Sequence, residues 1–282
     1  MGRGILLLSL LLSCLFAGNI DYDYLKESTA INSKVGVSSI ENPAGINWQN
    51  FSLNFSSSNK MGGIWDSNSI SIGIPFSNIK LGLLVKYDSL NNLSKTYQDI
   101  DNTFKTGSTF SHVKSGSILS IGSTFLIPDL YVGINHKLYF QKIEDKSMLA
   151  YGVDTGFMYH FLTNFYIGAS LNDIGNTIFK WNDQISDTLP ANMISHIGYI
   201  SDDFKLSFIN NSLQNKSYIK SELTFFDFLS TSATIPIDDI YQTQASVEIN
   251  LNFIKFGYEL DFNEIYGQNS KLSVCLSLGE LL

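Results

Sequence analysis

The chain has 282 residues and a formal net charge of −8, with 44% hydrophobic and 13% aromatic residues but only 16% charged ones. Ordinary soluble domains carry about 25% charged residues, so much of this surface meets something less polar than water. The acidic balance and the scattered basic residues argue against a nucleic-acid partner.

Met1-Gly-Arg3 supplies a short positive region, Ile5 to Leu12 is an almost pure Leu/Ile run, and Ala17 and Gly18 follow as small residues. This pattern predicts a signal peptide over 1–17, cut after Ala17. Leu11-Leu-Ser-Cys14 loosely resembles a lipobox and offers lipidation of Cys14 as the alternative. With the cut after Ala17, Cys275 has no disulfide partner and the mature protein depends on its sheet alone.

After the leader no apolar run approaches the ~18 residues that a membrane helix needs. A lipid-facing chain is then left with a closed barrel, because an open sheet edge cannot be satisfied in hydrocarbon. Residues 18–47 are poor in strand pattern and end in Asn42-Pro-Ala-Gly45. Asn before Pro can cap one helical turn that Gly then ends, or it can be a plain turn. The helical reading gives an N-terminal plug segment built on Asn42, Pro43, Ala44 and Gly45.

From 48 to 282 the sequence alternates with period two. Phe51, Leu53 and Phe55 alternate with Ser52, Asn54 and Ser56; Ile79, Leu81, Leu83, Val85 and Tyr87 alternate with Lys80, Gly82 and Lys86. Near the end, Phe256 and Tyr258 stand against Lys255 and Glu259, and Leu272, Val274 and Leu276 stand against Ser273 and Cys275. Successive strand residues point to opposite faces, so one face is apolar and the other small and polar. Strand cores are read at 48–57, 69–76, 79–87, 115–126, 130–141, 149–160, 164–173, 191–200, 203–210, 216–226, 228–235, 242–250, 253–261 and 270–279. That makes about fourteen, an even number as bacterial barrels require.

The links alternate in length. Short turns such as Pro75–Asn78, Ser201–Asp203 and Asn250–Asn252 alternate with longer ones, notably Asp88–Lys114 and Ile174–Pro190. Short turns on one rim and long loops on the other are the outer-membrane pattern, with the short turns in the periplasm. Phe76, Tyr159, Phe165, Phe225, Phe228 and Phe253 sit beside short turns, where a membrane interface favours aromatic rings. The fold expected is therefore all-β: a transmembrane antiparallel β-barrel of about 14 strands with a short N-terminal plug.

Several of these strings resemble the PorV/PorQ-like outer-membrane proteins, themselves similar to the long-chain fatty-acid transporter barrels. They are Asn42-Pro-Ala-Gly45-Ile46, Tyr151-Gly-Val-Asp-Thr-Gly-Phe-Met-Tyr159, Ile167-Gly-Ala-Ser-Leu-Asn-Asp-Ile-Gly175, Leu189-Pro-Ala-Asn and His196-Ile-Gly-Tyr199. The resemblance runs from Asn42 to the C-terminus. It implies a fourteen-stranded barrel with an N-terminal plug, and a role in passing hydrophobic solutes or as an adaptor for exported proteins.

No catalytic residue is assigned. His112, His136, His160 and His196 are far apart and form no ligand pair, and no Gly-x-Ser-x-Gly elbow stands out. No metal or cofactor is expected, and a barrel hydrolase using an outward Ser–His pair ranks last among the functions considered. His136 is read as a rim or lumen side chain. Lys80, Lys86, Asp154, Lys220, Glu222, Glu248, Lys255 and Glu259 share the phase of the small polar residues. Inside the barrel they either line a solute path or pair across the lumen and fill it. The expected function is passage of small or hydrophobic solutes across the outer membrane, with a type IX secretion-like adaptor as the alternative. The expected partners are outer-membrane lipid, the barrel-assembly machinery, and a small hydrophobic solute or secreted proteins.

Overall fold

A computed structural model describes residues 40–46, 51–60, 63–99, 101, 103–124, 127–182, 186–226, 228–237, 243–263 and 267–278. The signal peptide at 1–17 and the plug segment before residue 40 lie outside the described residues. After a single 3-10 turn at Pro43–Gly45, the alternating stretches form the strands of one sheet. In chain order these are β1 (Phe51–Lys60), β2 (Trp65–Phe76), β3 (Ile79–Gln98), β4 (Phe104–Thr124), β5 (Leu130–Ile143) and β6 (Lys146–Phe161). Next come β7 (Phe165–Asn172), β8 (Thr177–Trp181), β9 (Ser186–Leu189), β10 (Asn192–Ile200) and β11 (Phe204–Asn211). The last are β12 (Lys216–Phe225), β13 (Leu229–Pro236), β14 (Gln244–Leu251), β15 (Ile254–Asn263) and β16 (Gly267–Leu278).

Neighbours pair antiparallel, and β1 pairs with β16 from Phe51↔Leu278 to Asn59↔Ser270. That pairing closes the sheet into a 14-strand barrel. The two short strands β8 and β9 form a hairpin beyond β7 and β10 rather than staves of their own. Closure matters energetically, because it leaves no wall strand with an unpaired edge in lipid.

The turns at one rim are tight. Ser77–Asn78 and Asn252–Phe253 are two-residue connections, with Ser77 and Asn252 at positive φ (47° and 55°). Such turns match the right-handed twist of the strands they join. The wall has two chemically opposite faces. Val85, Leu83 and Tyr87 are 41–46% exposed on the outside, while Leu84, Lys86 and Asp88 between them are buried. An apolar outer face and a polar inner one are what lipid on one side and a lumen on the other select.

Two links differ from the expectation of loops. Over Asp88–Lys114, β3 and β4 continue as a paired ribbon, out to Gln98↔Phe104. Period-two alternation fades there because both faces of the ribbon are exposed, so the ladder continues without an apolar face to mark it. Within Ile174–Pro190 lies the β8–β9 hairpin, and β8 pairs with β6 through Met148↔Trp181. These strands are short, and residues 173–176 separate β8 from β7 while residues 190–191 separate β9 from β10.

Candidate functional site

The N-terminal turn sits inside the barrel against β4, β5 and β6. Asn42 caps it: its Oδ1 accepts the Ala44 N–H at 2.9 Å, and Pro43 occupies the first helical position, where a missing N–H costs nothing. The Asn42 amide also donates to two wall carbonyls, Phe157 at 2.9 Å and Ala169 at 3.3 Å, and lies 3.2 Å from His196 Nε2. Ser170 Oγ donates to the Glu41 carbonyl at 2.7 Å. Asn42, Pro43, Ala44 and Gly45 are all buried.

What lets a backbone turn approach a sheet so closely is a shelf without side chains. Gly122, Gly133 and Gly156 are direct cross-strand partners on β4, β5 and β6. A Cβ at Gly133 would run into the Pro43 carbonyl, one at Gly156 into Asn42 Oδ1, and one at Gly122 would lie 3.3 Å from the Ile46 Cβ. Glycine inside a strand is the sequence signal for such an approach. Sequence reasoning missed the shelf because the three glycines are aligned only by the strand register. Beside the turn, Tyr131, His160, Tyr166 and His196 form a chain of ring contacts with centroids 5.3–5.9 Å apart, edge-on, stacked and tilted in turn, and Tyr166 shares a 2.6 Å hydrogen bond with Ser207.

Asp154 belongs to a buried ion triad. Lys137 Nζ lies 2.6 Å from Asp154 Oδ1 and 2.7 Å from Asp173 Oδ1. The Asp173 N–H donates to Asp154 Oδ1 at 2.9 Å, and Thr177 Oγ1 donates to Asp173 at 2.7 Å. A single buried charge here would be costly, and the shared ammonium with these donors offsets much of that cost. The triad fastens the turn at 173–176, which joins β7 to the β8–β9 hairpin. Beside it lies an apolar inner patch: Ile46 after the N-terminal turn with Leu84, Ile118, Tyr139, Met148, Ala150, Phe179 and Leu189. Tyr139 and Phe179 approach to 5.7 Å between ring centroids.

The remaining charged positions separate into two settings. Lys86 is buried, 3.8 Å from Asp88. Lys80 lies at the short-turn rim and donates to the Ser77 carbonyl at 2.9 Å. Glu222 pairs with Lys205 at 2.7 Å, Glu248 with Lys255 at 3.4 Å and Glu259 with Lys271 at 3.4 Å. These three pairs join neighbouring strands along the wall; none spans the lumen. Lys220 is half-buried in the same phase of β12. Lys137, Asp173, Lys205 and Lys271 complete these ion pairs but were not singled out from the sequence; they shared the polar phase, which was their available signal.

His136 departs from the rim-or-lumen reading. It lies in mid-strand, in the outward phase with Ile134 and Leu138, and hydrogen-bonds the outward Tyr151 hydroxyl. Its cross-strand position opposite Val153 is what turns it outward. Among the described residues, no three His, Cys, Asp or Glu side chains gather to hold a metal ion.

No protein-family model matches the sequence, and no curated protein matches it. Solved structures do. The toluene transporter TbuX of Ralstonia pickettii is similar at 9% identity and a TM-score of 0.55, over 89% of this chain and 96% of that one. The CymD monoaromatic hydrocarbon channel gives 8% and 0.54, over 88% and 93%. A deletion mutant of the TodX monoaromatic hydrocarbon channel gives 9% and 0.53, over 85% and 93%. At such identities the likeness is one of fold, and it covers nearly the whole of each neighbour.

Proposed function

We propose that this chain is a channel of the bacterial outer membrane that admits small apolar solutes. The observation that carries the reading is the inner apolar patch, Leu84, Ile118, Tyr139, Met148 and Phe179, lying against Ile46 of the plug inside a wall whose outer face suits lipid. These side chains are each at most 5% exposed and pack against one another, so the patch admits a solute when the N-terminal turn or the β8–β9 hairpin moves off it. Apolar walls with a few polar groups beside them are usual around a small hydrophobic ligand. The fold neighbours described as hydrocarbon channels support the same class. On this reading the signal peptide at 1–17 exports the chain, the barrel-assembly machinery inserts it, and the short turns face the periplasm. The test is uptake of a radiolabelled monoaromatic hydrocarbon by Gram-negative cells carrying the folded barrel. Uptake should exceed that of cells without it, and Ile118→Asn, which sets an amide in the patch, should slow it. Equal uptake with and without the barrel refutes the reading.

A second reading, the PorV/PorQ type of adaptor for exported proteins, draws on the β3–β4 ribbon. β2 pairs with β3 only as far as Leu90, and β5 pairs with β4 only as far as His112. Beyond those points the ribbon carries Tyr97 at 50% and Phe104 at 76% exposure. Deleting 93–110 should then impair export of other proteins while leaving solute uptake intact.

A further inference from the structure

The lumen wall is not uniform around the ring. On β4 to β7 the inward side chains are buried against the plug and the β8–β9 hairpin; Asn135, Lys137, Asp154 and Met158 are each at most 5% exposed. From β12 to β16 most inward side chains are half-buried instead, with Pro236 and Asn269 buried. Register identifies them: Glu222↔Ser232, Ser232↔Ser246, Ser246↔Glu259 and Glu259↔Lys271 are successive partners from strand to strand. Among the described residues this wall is made of Lys, Glu, Asp, Gln, Asn, Ser, Thr and Cys, with Tyr218 and Pro236 at its long-link end. Ser232 and Ser246 hydrogen-bond each other at 2.7 Å. Next to them, inward groups including Ser56, Ser58, Ser69, Gln244 and Asn269 line a small cleft, partly open to solvent, with about 20 Å³ accessible to water.

We infer that this wall lines a second, water-filled conduit beside the plug, which passes small hydrophilic solutes and does so with the plug in place. Three physical arguments converge. A barrel of this size is wider than the ~8 strands whose side chains alone fill the interior. The described N-terminal residues 40–46 bond to or pack on β3 to β7 and β10, and none of these contacts is with β12–β16. Ion pairs in a dry interior cost several kcal/mol of desolvation, whereas the side chains of Lys205–Glu222 and Lys255–Glu248 keep 21–29% of their exposure. Finally, a wall without large apolar side chains offers nothing to an apolar solute and hydrogen-bonding groups to a polar one. Its selectivity follows from the pairing. Glu222, Glu248 and Glu259 each lie within 3.4 Å of a Lys, and Asp261 offsets one of the two further inward lysines, Lys216 and Lys220. The wall therefore carries little net charge and accepts neutral or zwitterionic solutes and small inorganic ions of both signs.

Cys275 is a built-in reporter. It lies on the inner phase of β16 opposite Lys255 and Asn54, and it is partly exposed. The full chain, carrying Cys14→Ser, is reconstituted in planar bilayers, and a charged methanethiosulfonate reagent is added. A steady conductance with a reversal potential near zero in a KCl gradient, reduced on modification of Cys275, is the expected result. Replacing Lys205, Lys255 and Lys271 with Gln should shift the reversal potential towards cation selectivity. Replacing Glu222, Glu248 and Glu259 with Gln should shift it the other way. Ser232→Trp with Ser246→Trp should lower the conductance several-fold without slowing apolar uptake, which separates this conduit from the apolar route. A heat-modifiable, folded barrel that carries no current, with Cys275 reacting only after unfolding, overturns the inference. Conductance without hydrocarbon uptake supports the conduit and removes only the apolar reading.

Discussion

The side-chain amide of Asn42 lies over the bare Cα of Gly156 and donates to the carbonyl of the next residue, Phe157, at 2.9 Å. A turn held this way depends on a missing side chain as much as on a hydrogen bond. Gly156→Val should therefore displace the turn while leaving the strand, since a β-branched residue suits a sheet. The expected outcome is a folded barrel with raised conductance and faster proteolysis near residue 42. Unchanged conductance in a heat-modifiable variant would show that the turn does not obstruct the lumen.

Asn42→Ala removes the cap on Ala44 and both bonds to the wall while keeping the shelf. Loss of the cap and of the donor to two wall carbonyls should weaken docking by about 1–3 kcal/mol. The readout is hydrogen exchange at the Ala44 and Gly45 amides, which should accelerate in this variant. The barrel's melting temperature should move little.

Lys137→Met leaves the carboxylates of Asp154 and Asp173 buried without their shared cation. Removing one partner of a buried pair costs about 3–5 kcal/mol. Thermal unfolding in detergent should reveal this loss. Adding Asp154→Asn and Asp173→Asn should recover most of it, because the uncompensated charges are then gone. If the triple variant is as unstable as the single one, packing rather than charge is what Lys137 supplies.

The two faces of β16 give opposite results. Val274 shares the outward phase with Leu272, and Ser273 the inward phase with Lys271. Val274→Arg should cost about 2–4 kcal/mol near the bilayer midplane, and Ser273→Arg much less. Denaturant unfolding in lipid vesicles measures both, and equal losses would reject the assignment of faces.

The orientation is tested with single cysteines at Asn92, on the β3–β4 ribbon, and Asn78, in the tight turn after β2. In intact cells an impermeant thiol reagent should reach the first and not the second. The reverse pattern would invert the barrel in the membrane.

The sequence by itself determined where the wall strands lie and which side chains face outwards. Alternation such as Leu83, Val85 and Tyr87 against Gly82 and Lys86 is a local property of an extended chain between two unlike media, so it can be read without knowing any partner strand. The same signal disappears where the media do not differ, which is why the ribbon beyond Asp88 reads as a loop, whereas β8 and β9 are too short to show it. Only the tertiary structure decided what occupies the lumen. Asn42 meets the Ala169 carbonyl across 127 positions of sequence, and Lys137 meets Asp173 across 36. Such meetings depend on ring closure and on the register between strands. The glycines of the shelf are separate events along the chain and become one surface only when β4, β5 and β6 are aligned. The division of the wall into a plugged half and a hydrated half has the same origin, since the side of a ring on which a plug rests is a relation between distant residues.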